Sequence, residues 1–404
     1  MSGCEQPGLL PMEAALARLL ALAEAAAIEQ QEQVALAEAD GRVLAEPLIA
    51  GLDLPPWDNS AMDGYALRLA DWQGEPLAVS QRILAGQAPQ PLAPGSCARI
   101  FTGAPLPEGA DCIEMQENCE LLADGRVRFL QPLRANSHIR AQGQETRAGQ
   151  RVLPAGTRLG PVQLALAASL GQAALSVRRR PRVALLSTGD ELVEPGAALG
   201  PGQIYNSNRV LLGSWLRQLG CRVEDLGILP DDAEATRARL AQAREVDLIL
   251  SSGGVSVGEA DFLGQVLREA GEPQLWKLAL KPGKPLTCGR YGGVPVIGLP
   301  GNPASSLVTF ALLARPYLLR RLGVERVRPL RLQVPAAFAW PKAGGRREYL
   351  RVRLEEGRAQ LHPNQSSALL ISADWADGLL EVPEQSTFAE GDAVGFIPFS
   401  EVFG

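Results

Sequence analysis

Histidine is scarce in this sequence, and cysteine never occurs in a metal-binding pattern. The 404 residues include two histidines, His138 and His362, which lie far apart, and six scattered cysteines without a CxxC pair. We therefore expect no zinc site of the Cys/His type. The cysteine pattern is typical of reduced thiols in a cytosolic protein rather than of a disulfide framework. A bound divalent ion would need carboxylate and phosphate ligands, which favours Mg²⁺.

Long apolar runs and excess positive charge are also missing. No apolar run approaches the roughly 20 residues that span a bilayer. The first residues carry Glu5 and Glu13 instead of the basic region of a signal peptide. The net charge of −6 argues against general binding to nucleic acid or to an anionic membrane. We expect a cytoplasmic protein whose length predicts about two to four domains.

The first half of the sequence combines helical and β patterns. Residues 11–38 carry apolar side chains at helical spacing among strong helix formers. A second apolar helix pattern covers residues 161–170, with Pro161 at its first turn. Residues 51–133 are rich in proline, glycine and short alternating runs, which indicates a small β domain. We predict a mainly helical domain (1–50 and 140–177) interrupted by an inserted β domain (51–139).

The second half first alternates strand and helix patterns and then contains short strands alone. The alternation predicts an α/β domain over residues 178–327. The later strands predict a small C-terminal β-barrel or sandwich over residues 328–404. The fold class is therefore predicted to be multidomain, α/β plus β. The predicted strands of the α/β domain include 182–186, 246–250 and 294–298, its helices are 208–219, 233–244, 262–270 and 304–322, and the C-terminal strands are 331–334, 349–354, 358–361, 379–382 and 393–397.

A long glycine- and serine-rich segment follows one predicted strand of the α/β domain. Residues 251–261 (SSGGVSVGEAD) place Gly253 and Gly254 beside serines and two acids. Open α/β sheets bind ligands at the carboxyl ends of their strands, where glycines let backbone N–H groups approach phosphate. The acids can hold a metal ion. We predict that this edge of the sheet binds an anionic, phosphorylated ligand.

A basic turn is predicted at the same edge. KPGKP, residues 281–285, holds Lys281 and Lys284 on a backbone that its prolines stiffen, and Lys277 precedes it. Positive charges positioned in this way suit a tetrahedral dianion.

Two further segments each allow two interpretations. LPGNP, residues 299–303, either caps a helix through Asn302 or binds an anion at the start of that helix. The acids of TGDE (188–191) and Asp231 either bind Mg²⁺ or cap a following helix.

Two motifs of the predicted β domain also concentrate polar groups. WDNSAMDGY (57–65) contains Asp58 and Asp63, and FTGAPLP (101–107) contains Thr102. Each motif is compatible with an ordinary turn. Together they suggest a second face of the same site, which composition alone does not establish.

The segments together resemble the molybdopterin molybdenumtransferase (MoeA-like) family, whose eukaryotic relatives include the E domain of gephyrin. The resemblance runs nearly end to end, and the motifs occur in the order of the family. They are PWDNSAMDGYA (56–66), RIFTGAPLPEGAD (99–111), STGDEL (187–192), SSGGVSVGEADF (251–262), WKLALKPGKP (276–285) and GLPGNPASS (298–306).

The resemblance implies an elongated homodimer with four domains per chain and an α/β domain like that of molybdopterin-adenylyltransferase proteins. It implies insertion of molybdate into adenylylated molybdopterin, with Mg²⁺ bound and AMP released. The cleft would lie between the α/β domain of one subunit and the β domains of its partner. The protein would work with molybdopterin-adenylyltransferase and with downstream molybdoenzymes or their chaperones.

The resemblance also assigns residues to roles. Asp58 and Thr102 would contribute to catalysis from the partner subunit. At Gly143–Thr146 the family often shows a Gly-Glu-Asp order, so Glu145 departs from the pattern. Of the remaining residues, Glu191, Asp231 and Asp261 would act in catalysis and hold Mg²⁺, Lys277, Lys281 and Lys284 would bind pyrophosphate and molybdate, Arg351 and Ser367 would contact anions, and Gly253, Gly254, Ser256, Pro285 and Asn302 would complete the ligand site.

Two other functions use the same features. A nucleotide pyrophosphatase would use the α/β edge but would not require the motifs around Asp58 and Thr102. A molybdopterin carrier or a gephyrin-like scaffold would not need the lysines and acids for catalysis.

Overall fold

The computed structural model describes residues 8–230, 232–243, 245–254, 262–270 and 274–403. The contacts divide the chain into two compact units. The larger unit comprises Met1–Ala45, Gly156–Gly160 and Leu175–Gly404, and the smaller unit comprises Glu46–Ala155 and Pro161–Ala174. The division into four domains stays a prediction.

The smaller unit is built around one six-stranded sheet. Successive residues along its strands belong to two different apolar clusters, because neighbouring residues of a strand point to opposite faces of the sheet. Ala66, Ala98 and Ile113 belong to one cluster, whereas Leu67 and Cys97 belong to the other. In spatial order the strands are Cys112–Met115, Gly64–Leu67, Ser96–Ile100, Leu77–Ile83, Arg126–Phe129 and Cys119–Leu121.

Short elements complete the smaller unit. The predicted helix at 161–170 is confirmed as Pro161–Ser169. Short helical turns lie at Leu69–Asp71 and Gln116–Asn118. Two small antiparallel ladders pair Asn59–Ser60 with Ile139–Arg140 and Leu48–Ile49 with Arg151–Leu153.

A mixed sheet forms the centre of the larger unit. The alternating pattern predicted the α/β arrangement but not the antiparallel strands. Four neighbouring strands are parallel to one another, and each of the last two strands is antiparallel to the strand before it in the sheet. In chain order the strands are β1 (Arg182–Thr188), β2 (Arg222–Leu229), β3 (Leu248–Ser252), β4 (Gln274–Lys277), β5 (Pro285–Tyr291) and β6 (Val294–Leu299), and their spatial order is β2-β1-β3-β6-β5-β4.

Both faces of this sheet are buried, which is typical of parallel strands covered by helices. Leu185 and Leu250 belong to one large apolar cluster, whereas Leu186 and Ile249 belong to the cluster on the other face. The covering helices are Ser207–Gln218, Ala233–Leu240, Phe262–Ala270 and a continuous helix that consists of Pro303–Thr309, a wider π-type turn at Phe310–Ala314, and Arg315–Arg321.

The N-terminal helix is shorter than predicted. It covers Met12–Glu24, whereas Gln31–Ala35 form a strand that pairs with Ala174–Arg178 and precedes a helical turn at Leu36–Glu38. The prediction of a helix was therefore wrong after residue 24, where pairing with a distant strand outweighs local helix propensity.

The C-terminal strands form a second six-stranded sheet. Leu280–Lys281 lies at one edge, and the order continues with Arg347–Glu355, Gly378–Val382, Ala393–Pro398 and Leu332–Pro335; the sixth strand, Arg358–Leu361, pairs with Arg347–Glu355 outside this order. Closure of this sheet into a barrel stays a prediction. The remaining elements of the larger unit are the two-stranded ladder Leu192–Val193 with Ile204–Tyr205 and the short helices Ile371–Trp375 and Ser400–Phe403.

The cysteines that the structure describes are free thiols. Burial raises the pKa of Cys112 to about 11 and that of Cys221 to about 12, so these thiols stay protonated at neutral pH. In the described part of the chain, none of the helices combines the length and hydrophobicity of a bilayer span.

Asp247 joins three segments of the larger unit. Its side chain is 10% exposed and accepts two hydrogen bonds from Arg179, at 2.7 and 2.8 Å, and one from the backbone N–H of Arg182. Arg321 contacts the same carboxylate at 3.5 Å and donates to the carbonyl of Ala26. Burial alone would raise the pKa of Asp247, but the hydrogen bonds from Arg179 and Arg182 outweigh it and lower the pKa.

We expect Asp247→Asn to destabilise the larger unit by about 3 kcal/mol, because it leaves two partly buried guanidinium groups without their counter-ion. Thermal unfolding by calorimetry measures the loss. Since the folded-state pKa of Asp247 lies below 3.8, the difference from wild type should be full above that pH and shrink as the pH falls below it.

Glu245→Gln is the matched control. Glu245 pairs with Arg182 at 3.6 Å, but its side chain is 89% exposed, so its loss should not be measurable. Equal unfolding temperatures for the two variants would contradict the central role of Asp247.

Candidate functional site

Two adjoining chambers of the larger unit lie at the carboxyl ends of the central strands. The polar chamber has a volume of about 770 Å³ and is lined by the ends of β1 and β3, at Thr188 and Ser252. The basic chamber has a volume of about 560 Å³. In the order β2-β1-β3-β6, the ends of β1 and β3 are the position at which open α/β sheets bind ligands. Three residues line both chambers and form the wall between them: Pro285, Gly301 and Asn302.

The glycines predicted to bind phosphate line the polar chamber and pack against the end of β1. Gly253 and Gly254 have φ angles of +87° and +64°. A Cβ on Gly253 would lie 2.7 Å from the carbonyl oxygen of Thr188, and a Cβ on Gly254 would lie 2.7 Å from its Oγ1. Both positions therefore require glycine, for conformation and for space.

Two asparagines complete the polar chamber, and the sequence reasoning missed them. Asn206 caps the helix Ser207–Gln218 by accepting from the backbone N–H of Arg209. Asn208 donates to Ser252 Oγ at 2.7 Å and to the carbonyl of Gly301 at 2.6 Å. Asn206 Nδ2 and Asn208 Oδ1 are buried without a hydrogen-bond partner among the described residues. The N-S-N sequence was readable as a cap, but nothing local showed that it lines a chamber.

Of the three acids predicted to hold Mg²⁺, only Glu191 belongs to the described residues. This residue is exposed and lines the polar chamber. Asp231, Ser256 and Asp261 lie outside the described residues. Within the described ranges, no three His, Cys, Asp or Glu residues are placed to hold a metal ion.

The basic chamber contains the predicted lysine turn. Lys281 and Lys284 line it, together with Arg346 and Arg351. Gly283 separates the lysines with a φ angle of +117°, and a Cβ there would lie 2.6 Å from Thr309 Cγ2. The turn thus packs against the long C-terminal helix of the central sheet, which fixes the backbone positions of both lysines. Lys277, at the end of β4, is exposed and is not among the described lining residues, although it lies opposite Pro285.

Arg351 is a buried cation in the lining of the basic chamber. It is 1% exposed, donates to Ser372 Oγ at 3.1 Å and to the carbonyl of Ser366 at 2.9 Å, and forms no ion pair with any described carboxylate. Burial lowers its pKa, which for an arginine leaves the charge intact at neutral pH. A buried, unpaired charge of this kind favours an anionic ligand.

Asn302 and Ser367 meet at the edge of both chambers. Asn302 precedes the helix Pro303–Thr309, but its side chain forms no capping hydrogen bond. It donates instead to Ser367 Oγ at 3.2 Å, and the carbonyl of Ser367 accepts from the N–H of Ala304. Capping by the side chain therefore does not explain Asn302.

The two polar motifs of the smaller unit pair with each other. The N–H groups of Gly103 and Leu106 donate to the carbonyls of Ser60 and Asp58. Thr102 donates its hydroxyl and its backbone N–H to Asp63 Oδ1, at 2.7 and 2.8 Å. These hydrogen bonds lower the pKa of Asp63.

Asp58 forms a hydrogen bond outside this pair. Its Oδ1 accepts from the N–H of Gln142 at 2.7 Å. The structure therefore brings Asp58 and Thr102 into one loop cluster of the smaller unit, with Asp63 as the partner of Thr102.

We expect Gly253→Ala to weaken binding of AMP, the probe for the polar chamber, by about tenfold or more. The new Cβ would meet the backbone of Thr188 and force the end of β3 away from β1, in addition to a conformational cost of roughly 1 kcal/mol. Isothermal titration calorimetry measures the affinity.

Gly227→Ala is the control, because Gly227 has a similar φ of +77° and a Cβ there would have nothing within 4 Å. It should bind AMP as wild type does. Equal affinities in the two variants would show that the contact with Thr188 does not shape the chamber.

Sequence profiles cover most of the chain. The MoeA N-terminal region (domains I and II) matches residues 10–171, a probable molybdopterin-binding domain matches residues 184–320, and the MoeA C-terminal region (domain IV) matches residues 333–399. The second match contains the lysine turn and the lining residues of the polar chamber except Ala368, and the third contains Arg351, Ser367 and Ala368.

Relatives match over nearly the whole length. The molybdopterin molybdenumtransferase of Haemophilus influenzae is 40% identical over 385 residues, which cover 93% of this chain and 95% of that protein. The one from a Nostoc species is 37% identical and covers 89% and 86%. A crystal structure of the molybdopterin biosynthesis MoeA protein from Pyrococcus horikoshii is 33% identical, with a TM-score of 0.76 and coverage of 97% and 99%. The chain belongs to the molybdopterin molybdenumtransferase (MoeA) family, enzymes of molybdenum cofactor biosynthesis.

Proposed function

We propose that the chain inserts molybdate into adenylylated molybdopterin and releases AMP. The observation that carries this proposal is Arg351, a buried cation without a carboxylate partner in the described structure, in a chamber that three other cations line. Such a chamber suits a tetrahedral dianion. The adjoining polar chamber suits the nucleotide part of the other substrate.

The two chambers differ in the charge of their lining, so each would take a different part of the substrates. Lys281, Lys284 and Arg346 line the basic chamber together with Arg351, so this chamber can accept molybdate beside the pyrophosphate. The polar chamber offers Asn206, Asn208 and the glycine backbone. These neutral groups can recognise a heterocycle and a ribose without adding charge.

The cations of the basic chamber would offset the repulsion between the two negatively charged substrates. Molybdate must approach a pyrophosphate that is itself negative, and fixed positive groups offset that repulsion more effectively than water does. The two dithiolene thiols of molybdopterin would bind molybdenum, and one oxygen of molybdate would leave as water with their two protons. A water oxygen, or a molybdate oxygen whose Mo–O–P link water then hydrolyses, would attack the phosphoanhydride; the P–O bond to the AMP phosphate would break and AMP would leave. Lys281 and Lys284 would stabilise the charge that accumulates on the phosphate oxygens, while Asn302 and Ser367 hold the ligand at the wall.

A magnesium ion fits the donor set. Glu191, Asp231 and Asp261 would hold it, and three carboxylates without histidine or cysteine are ligands for a hard cation. When bound, the ion would offset phosphate charge at the polar chamber, which Glu191 lines.

The partner assignments belong to this proposal. We infer a cytoplasmic homodimer in which Asp58 and Thr102 of the partner subunit complete the site. Molybdopterin-adenylyltransferase would supply the substrate, and molybdoenzymes or their chaperones would receive the product.

The test is AMP release from adenylylated molybdopterin by the purified protein with Mg²⁺, with and without molybdate, followed by reconstitution of an apo-molybdoenzyme. Release that depends on molybdate, with reconstitution, is the expected result. Release that is indifferent to molybdate and yields no active molybdoenzyme would indicate a pyrophosphatase. Tight ligand binding without turnover would indicate a carrier or scaffold.

Arg351→Gln should lower molybdate-dependent AMP release by about a hundredfold, the typical effect of removing one preorganised charged donor. Arg351→Lys should recover part of the rate, because it restores the charge but not the planar fork. Arg353→Gln is the control, since Arg353 lies on the same strand but contacts Trp375 and does not line the chamber. A rate in Arg351→Gln equal to that of the control, in folded protein, would contradict the proposed site.

A further inference from the structure

One acidic side chain lines the basic chamber. Among the described lining residues, four carry positive charge and only Glu348 carries negative charge. Its Oε2 lies 2.9 Å from Nζ of Lys281. A carboxylate in a chamber for anions lowers the affinity of the chamber, because like charges repel.

The position of Glu348 is fixed by the sheet. Leu280–Lys281 pairs in parallel with the strand Arg347–Glu355, and the register sets Lys281 beside Glu348. The Glu348 side chain is 11% exposed, whereas that of Lys281 is 52% exposed. Gly344 leaves room for the carboxylate, because a Cβ there would lie 3.0 Å from Glu348 Oε1. The carboxylate is thus the anchored partner and the lysine the movable one.

We propose that Glu348 is a positioning residue that occupies Lys281 whenever no oxyanion is bound. This inference rests on the proposed function, because it takes the basic chamber to be the oxyanion site. An arriving oxyanion gains Arg351 at once, but it gains Lys281 only by competing with Glu348.

The consequence is that an oxyanion bound in the basic chamber can exchange with others. Four unopposed cations would bind any small tetrahedral dianion tightly, and sulfate or phosphate would then block the chamber. With Glu348 in place, the charge contributed by the lining residues falls from +4 to +3. Simple oxyanions such as sulfate therefore dissociate readily. Adenylylated molybdopterin can then compete with them for the chamber, because it makes additional contacts.

The test measures sulfate and molybdate binding by titration calorimetry at constant ionic strength. We expect Glu348→Gln to bind sulfate at least about tenfold more tightly than wild type, because it removes one nearby negative charge. Glu348→Asp should keep weak binding, since it retains the charge. In AMP release, Glu348→Gln should show a lower KM for molybdate, a lower kcat and stronger inhibition by sulfate, a pattern that a merely structural role would not produce.

A charge-pair cycle keeps the proposal testable if Glu348→Gln folds poorly. Lys281→Met alone leaves Glu348 uncompensated and should weaken sulfate binding severely. Adding Glu348→Gln to Lys281→Met should recover at least about tenfold of that affinity. Glu355→Gln is the matched control, because it removes the same charge from the same strand at a side chain that is 55% exposed and pairs with Arg353.

The outcomes separate the two proposals. Sulfate affinity in Glu348→Gln that equals or falls below that of wild type, with no recovery in the double variant, would overturn the role of Glu348. The proposed function would survive that result if wild type still released AMP in a molybdate-dependent manner. Tighter sulfate binding in Glu348→Gln without such release in wild type would support the role of Glu348 as a counter-anion and overturn the proposed reaction.

Discussion

The parallel pairing of Leu280–Lys281 with Arg347–Glu355 is the contact on which the basic chamber depends. It makes a short segment of the α/β region the edge strand of the C-terminal sheet. Lys281 belongs to the first segment, and Arg351 belongs to the strand that pairs with it. Without this ladder the charges would sit on separate sheets, and no chamber would collect them. The packing of Gly283 against Thr309 then sets the direction of the turn.

Local patterns predicted three of the six strands of the central sheet and the helices that cover it. The predicted strand at 182–186 is confirmed within Arg182–Thr188, and the helix predicted at 262–270 is Phe262–Ala270. In these segments the apolar pattern and the observed burial indicate the same element. The extension of the N-terminal helix failed because Gln31–Ala35 pairs with a strand far away in the sequence, and periodicity contains no information about such a partner.

The candidate site was predictable to a similar degree. Glycines and lysines at strand ends are local signals, and the structure places Gly253, Gly254, Lys281 and Lys284 in adjoining chambers. The same signals gave no reason to select Glu348, whose importance arises from the register of a non-local ladder. The asparagines of the polar chamber were hidden for a comparable reason, since a capping sequence does not reveal which surface the start of a helix faces.

The wall between the chambers has a consequence for the orientation of a ligand that reaches into both. It is made of Pro285, Gly301 and Asn302, none of which carries a charge. Such a ligand would cross the wall without meeting a charged side chain. Electrostatics would then orient it, with its more negative end among the four cations of the basic chamber and its other end in the polar chamber, which Glu191 lines.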